Sequence, residues 1–157
     1  MHWKKKIFFI LIVLFLCLLE VSFFPVFDGF YIPVMVFSFS LALLSLGYKE
    51  ESFFVSFWGG LLLDIFAGRI LGLSSFIFLA LILLISFLKQ RVFDNLILYL
   101  LSVIVFSASW QYFILDSSIL GGLVKFLISN LIAFLLFKNI FLKFYASKPI
   151  WFYKEGL

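Results

Sequence analysis

Long apolar runs alternate along this chain with short clusters of polar residues, glycine or proline, and the alternation divides it into six stretches of about 15 to 20 residues. The pattern predicts helices over about 7–24, 30–46, 52–66, 71–88, 96–115 and 119–137, followed by a basic-aromatic tail over 138–157. Each boundary has a local reason. Pro25 ends the first run, Pro33 suits the first turn of the second helix, and Gly47 to Glu51 closes that helix and opens the third. The Gly68–Gly72 link, the polar segment KQRVFDN and the turn Asp116–Ser118 separate the later ones. At 1.5 Å per residue, the first run is about 27 Å long, close to the thickness of a bilayer's hydrocarbon core. The apolar residues follow no period of two, so helices fit better than the strands of a barrel.

Composition turns this pattern into a class. The chain is 66% hydrophobic and 13% charged, with a mean hydropathy of +1.26 and 25 phenylalanines among 157 residues. A soluble domain of this size needs more charge, so the expectation is an all-α integral membrane protein: one compact bundle of about six transmembrane helices with short loops. The first run resembles a secretory signal but lacks a small-x-small cleavage site, and Leu16 before Cys17 is too large for a lipoprotein site, so it is expected to stay as a helix. Cys17 has no second cysteine to pair with.

The net charge of +4 points to the membrane rather than to nucleic acid, because the lysines flank apolar runs. Lys4, Lys5, Lys6, Lys49, Lys89, Arg91, Lys138, Lys143, Lys148 and Lys154, ten of the twelve cations, fall on the side shared by the two termini. The positive-inside rule then makes both termini cytoplasmic. The aromatic rings and lysines of the tail suit the bilayer interface.

The stretch WGGLLLDIFAGRILGL, Trp58 to Leu73, holds the candidate chemistry. Gly59 and Gly60 allow a neighbouring backbone to come close. An ionisable group in an apolar span costs about 2.5 to 3.5 kcal/mol, so Asp64 calls for a partner. Helix rise places Glu20, Asp64, Gln111 and Lys125 at one depth in the outer third of the bilayer, and an Asp64–Lys125 ion pair with Arg69 nearby is the expected arrangement. Glu20 either joins that cluster or snorkels to the interface. Asn130 suits an interhelical hydrogen bond, and Gly68 with Gly72 reads as a turn. His2 is the only histidine, and no phosphate loop, metal motif or nucleophile elbow is present, so no enzyme activity, cofactor or metal is expected.

The same stretch resembles the MreD family of rod-shape-determining membrane proteins, in which a glycine-rich helix ends in Leu-Asp and leads through a short loop to Leu-Gly. The matching positions are Gly59, Gly60, Leu63, Asp64, Leu71 and Gly72. Chain length, the basic start and the six-run plan are similar over nearly the whole chain. Pro33 is followed by Val34 where the family often has an acid. The resemblance implies a non-enzymatic scaffold of the bacterial cytoplasmic membrane in the cell-elongation machinery, binding MreC and, with it, the peptidoglycan polymerase, the transpeptidase and indirectly MreB. The residues themselves also leave open a substrate-binding membrane subunit of an energy-coupling factor importer, which would make the polar cluster a small-molecule site, or an accessory subunit of another membrane complex.

Overall fold

A helix with no polar face has nowhere to go but the middle of a bundle, and MVFSFSLALLS is such a helix. In the computed structural model, which describes residues 3–23, 34–91, 96–110 and 120–146, Val36 through Leu44 are buried without interruption. Six α-helices occur among these residues: α1 (Trp3–Leu18), α2 (Met35–Ser45), α3 (Lys49–Phe66), α4 (Leu73–Arg91), α5 (Leu96–Trp110) and α6 (Leu120–Ala146). A π-helical turn, Leu19–Phe23, extends α1, and the described residues contain no strand. The all-helical expectation holds at this level. Among the described residues one helix, over Val124–Lys143, is long and apolar enough to cross a membrane.

α2 packs against each of the other five helices. Side-chain pairs fix the directions. Val34 meets Asn130 while Phe39 meets Phe137 and Phe141, so α2 and α6 run together; Ser40 meets Ser52 and Ser56 at the far end of α3 from the Val36–Gly59 contact, so α2 and α3 run oppositely. By the same reading α1, α3 and α5 point one way and α2, α4 and α6 the other. Lys49, Lys89 and Lys143 gather at one end, whereas Glu20, Asp64, Arg69 and Trp110 lie towards the other.

The core is aromatic where α2, α4 and α5 meet. Phe37 and Phe106 stack with ring centroids 3.8 Å apart, and Phe78 stacks on Trp110 at 5.4 Å. Such pairs add about 0.5–1.5 kcal/mol each beyond the area they bury. Between α2 and α3 the contact is instead built from hydroxyls. Ser52 Oγ donates to the Ser40 carbonyl at 2.8 Å, and Ser40 Oγ lies within hydrogen-bonding reach of Ser52 and Ser56, so two apolar helices are joined by small polar groups.

Several boundaries differ from those read in the sequence. α3 begins at Lys49 rather than near residue 52, because Glu50 and Glu51 favour the positive end of a helix and fit its first turn. α6 continues to Ala146, nine residues beyond the expected end at 137, so 138–146 of the supposed tail is helix: Phe141 packs on Phe39 of α2 and carries the apolar stripe onward. The Pro25 and Pro33 boundaries, Gln111, the Asp116–Ser118 turn and 147–157 lie outside the described residues.

Candidate functional site

At the end of the bundle opposite Lys49, Lys89 and Lys143, the starts of α2 and α4 need partners, since the first N–H groups of a helix have none within it. Asn130 lies ten residues into α6, so the start of α2 beside it is recessed about 15 Å from the first turn of α6. The start of α4 follows a tight turn over Ala67–Gly72.

Asp64 serves α4. Its carboxylate is fully buried and accepts the Gly72 N–H at 2.8 Å and the Ser74 N–H at 3.1 Å. Gly72 can present its N–H this way because it adopts φ +90°, a conformation that glycine reaches without penalty. The Asp64 carbonyl also accepts the Arg69 N–H at 2.9 Å, which closes the turn. Gly68 and Gly72 both have positive φ and are turn residues. Behind this cap α3 and α4 come so close at Gly60 that a methyl group there would collide with the Ser75 backbone, while Ser75 Oγ donates to the Phe57 carbonyl at 2.8 Å. At Gly59 an added methyl would meet the Val36 side chain and, at 3.3 Å, Val13 Cγ1.

Glu20 and Asn130 serve α2. Asn130 Oδ1 accepts the Val34 N–H at 2.8 Å, and Glu20 Oε2 accepts the Met35 N–H at 3.1 Å. The Asn130 amide also donates to Ser107 Oγ at 3.3 Å and to the Phe126 carbonyl at 3.1 Å, so one side chain joins α2, α5 and α6 as an interhelical link. A carboxylate is well suited to the positive end of a helix. Arg69 sits with its guanidinium 5.3 Å from the Trp110 ring centre and acts electrostatically on Glu20.

The expected Asp64–Lys125 pair is absent. Lys125 projects from the exposed face of α6, whereas the Asp64 carboxylate is buried against two backbone donors of α4. Arg69 is not a carboxylate partner of Asp64 either, because its guanidinium is turned to Trp110. Glu20 and Asp64 lie towards the same end of the bundle, but what brings these acids there is helix starts, not a cation. Sequence reasoning missed the serines; Ser52 and Ser56, four apart in an apolar run, were the available signal of a helix-helix seam.

In transporters, a recessed helix start is where an anionic substrate binds. Here the recessed start of α2 is taken by the chain's own Glu20 and the start of α4 by Asp64, which leaves an arrangement that locks helices together. Among the described residues no group of three metal-ligating side chains occurs. A scan against protein-family models and searches of curated proteins and of solved structures find no match.

Proposed function

We propose that the chain crosses the bacterial cytoplasmic membrane six times, with both termini cytoplasmic, and acts as a non-enzymatic scaffold of the cell-elongation machinery that binds MreC. The observation that carries the membrane part is the placement of side chains. Phe8, Leu11, Phe15, Phe76, Leu83, Ile97, Ile132 and Ile140 are exposed on the outer faces of four helices, while Asp64, Asn130 and most of the serines named above are buried and bonded inside. Water would reverse that order; lipid rewards it, because no solvent is there to satisfy a polar group. The lysine asymmetry supports the orientation.

The scaffold part rests on the likeness of Trp58–Leu73 to the MreD motif and on the structural use its residues find here. Gly60 admits α4, Asp64 caps it and Gly72 makes the cap possible, so the motif describes a rigid hairpin rather than a reaction centre. Filled helix starts also count against the importer subunit.

Cysteines placed at Ser147 and Ser117 should label from opposite sides of intact cells, with Ser147 inside; external labelling of that probe would overturn the topology. Full-length protein isolated from native membranes should carry MreC with it, and depletion should turn rods into spheres. Loss of uptake of a nutrient in cells of normal shape would sink the scaffold and favour the importer subunit.

A further inference from the structure

At the lysine end, the α2–α3 turn and the last turns of α4 enclose a recess of about 300 Å³ lined by Leu44, Gly47, Lys49, Ser86 and Lys89. Its chemistry is uneven. The two ammonium groups come from separate elements, Lys49 from the first turn of α3 and Lys89 from the end of α4. Lys89 is held in place, with Nζ 3.4 Å from the Leu44 carbonyl and 5.9 Å from the centre of the Tyr99 ring. Ser86, only 6% exposed, lines the recess and adds a hydroxyl to it. Gly47 leaves open space where a side chain would stand.

We propose that this recess binds the phosphate-bearing headgroup of an anionic membrane lipid, with Lys49 and Lys89 on the phosphate and Ser86 as an added donor. The shared chemistry is a phosphate group, and two features favour the lipid over a free ion. Leu44 and the methylene stems of the lysines gain nothing from inorganic phosphate but can cover the glycerol and upper acyl carbons. Leu83, Leu84 and Phe87 are exposed on the adjoining turns of α4, where the acyl chains would run. Lysines at a bilayer surface usually form a loose basic collar. What distinguishes these two is that both line one recess that Ser86 also lines.

The proposal rests on the membrane reading above, and the test separates the two. Full-length protein is reconstituted in nanodiscs of phosphatidylcholine containing a minority of phosphatidylglycerol, then released and examined by native mass spectrometry. The wild type should retain phosphatidylglycerol in preference to phosphatidylcholine. Lys49→Gln and Lys89→Gln should each reduce that retention about fivefold, the factor that ~1 kcal/mol per lysine at an anionic surface represents. Lys49 is exposed, so its variant reports on binding even if loss of Lys89 disturbs the end of α2. Lys138→Gln and Lys143→Gln, each removing the same single charge from α6, should leave retention unchanged. An equal loss in these variants would reduce the site to the general basic collar and overturn the proposal. Binding of inorganic phosphate to lipid-free protein in detergent, with no preference for phosphatidylglycerol, would overturn the lipid assignment in favour of a soluble phosphate. A membrane-embedded chain without lipid preference refutes this site alone, whereas recovery of the chain in the soluble fraction refutes the membrane reading.

Discussion

α4 and α2 both begin with N–H groups that need partners and solve the same problem differently. α4 is capped by Asp64, eight residues before Gly72, so the helix that precedes it supplies the partner. α2 is capped by Glu20, fifteen residues before Met35, and by Asn130, 96 residues after Val34. The α3–α4 hairpin is therefore self-contained, and the central helix depends on the first and last helices of the chain. Sequence proximity, rather than burial, separates the two.

The hairpin should break most sharply at Gly60. Gly60→Leu forces a side chain against the Ser75 backbone and should cost at least about 3 kcal/mol, read as lost accumulation and earlier denaturation in detergent. Gly60→Ala should cost more than Gly59→Ala, because the first meets backbone and the second the tip of Val36; equal losses would refute the close approach of α3 and α4.

Next comes the cap. Asp64→Ala strands the N–H groups of Gly72 and Ser74 and should cost about 2–4 kcal/mol, with faster amide exchange confined to the start of α4. Asn130→Leu should cost about 1–3 kcal/mol but loosen α2 and α6 together, since its amide serves both; exchange limited to α6 would remove the long-range link. The smallest effect belongs to Lys125. Lys125→Leu should stay within about 0.5 kcal/mol, and combined with Asp64→Ala the costs should add within about 0.5 kcal/mol. Coupling between the two would restore the ion pair that the geometry lacks.

This contrast also explains what could be read from the sequence. Helix number, and the breaks at Gly47 and at Gly68–Gly72, followed from apolar runs and their interruptions, which are local. The Gly60 approach and the Gly72 turn were visible because glycine has few uses in an apolar helix. The partner of Asp64 was misread because Lys125 offered an opposite charge at a similar height, whereas an N-terminal turn offers donors with no letter of their own in the sequence. Asn130 showed as a polar residue needing a bond, but nothing near it announced Val34. The 138–146 extension of α6 was hidden by its lysines, which suggested an interface although Phe141 still faces α2.

The 96-residue separation of Val34 and Asn130 has a consequence for biosynthesis. At about 5–20 residues per second, roughly 5–20 s pass between the synthesis of the α2 start and that of its cap. On the six-span reading proposed above, the α3–α4 hairpin has its cap bonds from Asp64 to Gly72 and Ser74 in place during that interval and can leave the insertion channel as a pair. The Val34 N–H has no such partner in lipid, where an unsatisfied group costs several kcal/mol. The central helix should therefore remain in contact with the insertion machinery until α6 emerges. Crosslinks from α2 to the channel should persist in chains arrested after α5 and disappear in the full-length protein; early release of α2 would show that its socket is not what holds it back.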